Sequence, residues 1–143
     1  MASLLRGRVI AVGAAVPLLL ALAACSESDK GNASATCASN ISTPASTPLP
    51  SNVPSPSGGV AYDYSLQGKT QVWFIAVDGG PDQLATMRDA YDTQLTGQGY
   101  KIEGTDQEAG AEAESEFSGP HAGTTNFRAL CTGKDVLRLK LTS

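Results

Sequence analysis

From Val60 onward the sequence predicts an α+β fold: a two-layer sandwich of one main helix on a four- to five-stranded, mostly antiparallel sheet, in the order β-α-β-β-β-β. Three observations carry this expectation. Val72 to Val77 is an unbroken apolar run rich in β-branched and aromatic residues, Leu84 to Leu95 repeats apolar residues every three or four positions, and most of the chain beyond alternates apolar with polar at a period of two. The first reads as a buried strand, the second as an amphipathic helix, and the third as strands with one wet face.

Taken in order, YDYSL (Tyr62 to Leu66) alternates and reads as an additional edge strand or as a strap across the sheet. In TQVWFIAVDG (Thr70 to Gly79) the apolar run is long enough for a central strand buried on both faces, and Asp78-Gly79 closes it. Pro81 suits the first position of a helix, Asp82 lies near its positive end, and Gly97 supplies an exit. Between them Leu84, Met87, Tyr91 and Leu95 form the apolar stripe, and Arg88, Asp89 and Asp92 are expected to face elsewhere.

Four alternating segments follow. GYKIEG sets Tyr100 and Ile102 against Lys101 and Glu103. AEAESEFS sets Ala111, Ala113, Ser115 and Phe117 against Glu112, Glu114 and Glu116. TNFRALC sets Phe127, Ala129 and Cys131 against Asn126, Arg128 and Leu130, and DVLRLKL sends Leu137, Leu139 and Leu141 inward and Val136, Arg138 and Lys140 outward. The glutamates are expected on a solvated face opposite Arg128, Arg138 or Lys140. They do not read as a metal site, because carboxylates two apart on a strand stand about 6.5 to 7 Å apart and no turn folds them around an ion.

The amino-terminal part is of another kind. MASLLRGR is short and ends basic, VIAVGAAVPLLLAL carries no charge, and Leu22-Ala23-Ala24-Cys25 follows. The apolar run is shorter than the roughly 20 residues of a membrane span and fits the core of an export signal. Its end resembles the bacterial lipoprotein signal, in which a leucine and two small residues precede an obligatory cysteine. The resemblance implies a signal peptide over 1–24, a diacylglycerol and further palmitate-type acyl chains on Cys25, and a cell-membrane location, lipid-anchored in the outer leaflet and facing outside the cytoplasm. Cleavage after Ala21-Leu22-Ala23 by an ordinary signal peptidase is the competing reading. Ser26 is not the aspartate that steers retention in some envelopes. With its Ser/Thr/Pro spacer and small α+β domain, the mature chain resembles small actinobacterial lipoproteins of uncharacterised role, the specific likeness being confined to residues 1–25.

Residues 25–59 read as the lipidated start and a Ser/Thr/Pro-rich tether. Only Ile41, Leu49 and Val53 are large and apolar there, and prolines stand at 44, 48, 50, 54 and 56. Such a tract favours extended conformations and buries too little to offset its ordering entropy. Once Cys25 is acylated, Cys37 and Cys131 remain, and outside the cytoplasm two thiols are expected to form a disulfide that shortens the free leash to residues 26–36.

The charge excludes some partners. Setting aside Arg6 and Arg8 of the leader, the formal net charge of -4 becomes -6, with no basic stripe for nucleic acid and no basic cluster for anionic lipid. The membrane partner is therefore reached through the anchor on Cys25. Catalysis is not expected: the single histidine, His121, sits in the glycine-flanked bend SGPHAGTT, and VDGGPDQ lacks both the phosphate-loop lysine and a G-x-G-x-x-G spacing. No cofactor or metal is implied. What remains is a binding or structural accessory module for a protein or envelope polymer. The alternative is a carrier or sensor of a small apolar ligand, held between helix and sheet by Trp73, Phe74, Met87, Tyr91 and Phe117.

Overall fold

The computed structural model describes residues 36–142. Six strands form one sheet: β1 (Val60–Gln67), β2 (Thr70–Asp78), β3 (Lys101–Glu108), β4 (Glu112–Ser118), β5 (Ala122–Cys131) and β6 (Lys134–Thr142). Their order is β1-β2-β6-β5-β4-β3, and every neighbouring pair is antiparallel. The helix α1 (Leu84–Gly97) follows a single 3-10 turn at Pro81–Gln83 and links β2 to β3. Because β2 lies beside one edge strand and β3 is the other, this connection crosses the sheet, and α1 lies against β3, β4 and β5.

The expected helix on an antiparallel sheet is present, with six strands instead of four or five. The sixth is β1: Tyr64 pairs with Trp73 and Leu66 with Gln71, so YDYSL belongs to an edge strand. The helix exit also moves slightly. Gly97 is the last helical residue, and the reversal falls at Gly99, whose φ of 86° suits glycine, while the Tyr100 N–H closes the end on the Leu95 carbonyl at 3.1 Å.

On the front face, Trp73, Ile75 and Val77 of β2, Leu137, Leu139 and Leu141 of β6, Phe127 of β5, and Ala113 and Phe117 of β4 meet Leu84, Tyr91 and Leu95 of α1. Edge-to-face ring contacts join Tyr91 to Phe127 and Tyr100 to Phe117, with centroids 6.2 and 5.4 Å apart. Arg88 and Asp92 depart from the expectation and are buried. The Arg88 guanidinium donates to the Asp106 carbonyl at 3.1 Å and to Asp89 at 2.7 Å, and Asp92 accepts from the Ser115 hydroxyl at 2.6 Å. These partners offset part of the cost of drawing polar groups under the helix; Asp92 Oδ1 has no partner among the described residues, and burial raises the Asp92 pKa.

The spacer composition of residues 38–59 conceals three apolar anchors. Ile41 packs on the back of the sheet with Ala76, Cys131 and Tyr62, whereas Val53 and Leu49 pack into the front core. The segment therefore passes round the β1 edge, where the Ala45 N–H bonds to the Ala61 carbonyl at 2.7 Å. On the front it accepts the indole N–H of Trp73 at the Thr47 carbonyl, 3.2 Å, and the hydroxyl of Tyr91 at the Pro54 carbonyl, 2.9 Å. We call residues 43–59 the strap. The leading part of the expected tether, residues 26–35, lies outside the described residues.

Cys37 and Cys131 are joined by a disulfide, with Cα atoms 5.1 Å apart. Cys131 does not share a face with Phe127 and Ala129. The β5–β6 register slips between Ala129 and Cys131, so the cysteine pairs with Lys134 and turns to the back, where its neighbours are Ile41 and Ala76. The bond closes a sequence separation of 94 residues. Replacing both cysteines by serine is expected to cost about 2 to 4 kcal/mol in chemical denaturation. Amide exchange should then accelerate over residues 37–45 and stay slow over 47–56, where Trp73 and Tyr91 hold the strap. Equal acceleration over both stretches would show that the disulfide alone fastens it.

Candidate functional site

The residues singled out for a ligand between helix and sheet do not converge. Trp73 and Phe74 are consecutive on a strand and point to opposite faces: Trp73 is buried in the front core, and Phe74 lies on the back beneath the Arg138 guanidinium, 5.9 Å from its ring centroid. Phe117 is buried against Tyr100. Only Met87 and Tyr91 line a common recess, of about 160 Å³, with Pro56, Val77 and Phe127. That is about half the volume at which small-molecule pockets begin, roughly 300 Å³.

His121 sits in the β4–β5 bend with Nε2 3.2 Å from Oδ1 of Asn52, so it ties that bend to the strap. The buried Ser115 hydroxyl donates to Asp92, with no imidazole between them. This pair clasps α1 to β4. In VDGGPDQ, Asp78 pairs with Lys134 at 2.5 Å. Among the described residues no three His, Cys, Asp or Glu side chains gather as a metal site, and no helix is long and apolar enough to cross a membrane.

The larger concavity, about 390 Å³, lies over the β3–β6 half of the sheet. Lys140, Thr124, Glu116, Glu114, Asp106 and Gly104 line it. Sequence alternation sets the glutamates and the basic residues on one wet face, and they are there; of the three cations expected opposite them, Arg128 is the one on the neighbouring strand. Glu112 stands directly opposite Arg128 and bonds to it, and the Asn126 amide donates to both Glu112 and Glu114. Those donors hold the Glu112 carboxyl below its ordinary range, the Asn126 bond first and Arg128 second. Arg138 and Lys140 are on β6, one strand farther away than direct pairing requires. The sequence signal for this groove was the glutamate alternation together with Gly104; only the strand order brings Lys140 to the other side.

One buried acid was missed altogether. Asp135, second residue of β6, lies fully buried in the front interior, and neither carboxylate oxygen has a hydrogen-bond partner among the described residues. Its side chain fills the space a Cβ at Gly79 would need and lies beside Met87. The alternation of DVLRLKL places it inward with the leucines, which is the signal that was available.

No family model, curated protein or solved structure matches this chain.

Burial pushes the Asp135 pKa up to about 6, against 3.8 for the free side chain. Between these values the folded protein binds the proton that the unfolded chain has released, so this group's contribution to stability declines as pH rises. About 2 kcal/mol is expected to be lost between pH 4 and pH 7, and Asp135→Asn should flatten that slope. Urea denaturation across this range measures both. A wild-type slope unchanged by the substitution would place the ionisation elsewhere.

Proposed function

We propose that the chain is a membrane-anchored extracytoplasmic lipoprotein, held in the outer leaflet of the cell membrane by acyl chains on Cys25, whose domain is a non-catalytic binding or structural accessory module for an envelope polymer or a protein. The observation that carries this reading is the open back of the β3–β6 half of the sheet. A sheet whose front is closed by helix and strap leaves a concave, charged groove on the other side. The Cys37–Cys131 bond supports the extracytoplasmic part, since such bonds persist in oxidising compartments. It also sets the leash: residues 26–36 extended reach roughly 35 Å, which keeps the domain close to the membrane surface. For the carrier alternative, the recess that Met87 and Tyr91 line, about 160 Å³, is small for a ligand.

Two experiments test the two halves. Cys25→Ser should shift the chain from the detergent phase to the aqueous phase in cloud-point partitioning, because two or three acyl chains dominate membrane affinity. Unchanged partitioning after removal of the leader would refute the anchor. A photo-crosslinking residue placed at Glu116 on intact cells should give an envelope adduct, while one at Leu66, 62 % exposed on the β1 edge, should not. Absence of adducts at both positions would refute the binding module.

A further inference from the structure

The strand register arranges the back face in rows. One row runs from Lys140 on β6 through Thr124 on β5 and Glu116 on β4 to Gly104 on β3. The next runs Arg138, Asn126, Glu114 and Asp106. With strands about 4.8 Å apart, Lys140 and Glu116 stand about 10 Å from each other at the backbone, with a threonine between them.

The fold employs most of these charges, but not those two. Arg128 pairs with Glu112, Asn126 bonds to Glu114, and Arg138 covers Phe74. Lys140 and Glu116 have no ion-pair partner among the described residues. Both border the concavity of about 390 Å³, and the row ends at a residue with no side chain. A Cβ added at Gly104 would meet no atom within 4 Å, so packing does not demand glycine there. Its effect is to leave that end of the groove open.

Resting on the reading of this domain as a binding module, we infer that the groove takes an extended peptide segment bearing a carboxylate and an ammonium group about one tripeptide apart. The carboxylate lies against Lys140, the backbone crosses Thr124, and the ammonium sits at Glu116 with Glu114 and Asp106 around it. The span is the reason for the length, since three extended residues cover about 10 Å. The two signs are the reason for the zwitterion. A purely cationic strand would bring like charge to Lys140, and a purely anionic one would meet three carboxylates. A second copy of the chain is disfavoured by shape: the face is concave, and the 3-10 turn Ser39–Ser42 with its disulfide stands on the β1–β2 side of it.

Equilibrium dialysis of the full chain in detergent tests this, using triglycine with free termini and N-acetyl-triglycine amide as the capped control. The free peptide should bind about tenfold more tightly, the sum of two exposed ion pairs, and Lys140→Gln and Glu116→Gln should each weaken it about two- to fivefold. Gly104→Trp should fill the groove and abolish binding while the melting temperature and circular dichroism stay as in the parent. Equal binding of free and capped peptides, no binding of either, or full binding by the Gly104→Trp protein overturns the inference. Sedimentation that shows self-association lost in Lys140→Gln would also overturn it, assigning the face to a second copy. Each of these results leaves the Glu116 adduct on cells to be judged separately, so the inference can fail while the binding module stands.

Discussion

A fourteen-residue helix is about 21 Å long and 10 Å across, and six strands at a spacing of about 4.8 Å make a sheet some 24 Å wide. One helix cannot close one face of that sheet. Because α1 must reach β3, it settles over β3 to β5 and leaves Trp73, Ile75 and the β6 leucines of the other half to be covered by something else. The strap supplies that cover with few apolar atoms. Val53 and Leu49 enter the core, and Trp73 and Tyr91 satisfy their polar tips on strap carbonyls. A segment of serine, threonine and proline stays folded here because its backbone runs along the surface and only its anchors are buried.

The same shortage explains where the covalent bond falls. The segment 38–59, with Leu49 and Val53 as front anchors and Ile41 behind, gains little from burial, so fixing the chain just before it at Cys37 gives the domain a closed boundary. Cys131 can serve as the fixed end only because the bulge in β5 turns it to the back. With unbroken alternation it would sit with Phe127 in the front core, on the wrong side of the sheet for a chain entering behind β1.

Charge on the sheet follows from register. Glutamates on β4 meet β5 directly, where only Arg128 is basic; Arg138 and Lys140 are one strand farther on, on β6, and Lys134 there pairs with Asp78. Arg138 is occupied by Phe74, which leaves one row with opposite charges separated by a neutral strand. The front interior carries its own electrostatic burden. Asp135, neutral when protonated and unpartnered, is a group that the core accommodates better in acid than at neutral pH.

Much of the fold was legible because the hydrophobic periods were clean. The run from Val72 to Val77 specifies a strand, and the stripe Leu84, Met87, Tyr91, Leu95 and the leucine alternation of DVLRLKL each specify an element and its inward face, from local geometry alone. The pairing of Cys37 with Cys131 followed from there being two thiols left once Cys25 was set aside. The candidate groove was legible only in part: its glutamates could be put on the wet face, but not its lysine across from them. A period of two says which face a side chain takes and nothing about which strand stands beside it. Strand order, the bulge that turns Cys131, the burial of Arg88 and Asp92, and the passage of the strap round β1 were all decided by tertiary structure. The physical reason is common to them: each depends on contacts between residues far apart in the chain, where cover for the sheet and partners for buried polar groups must be found wherever packing places them.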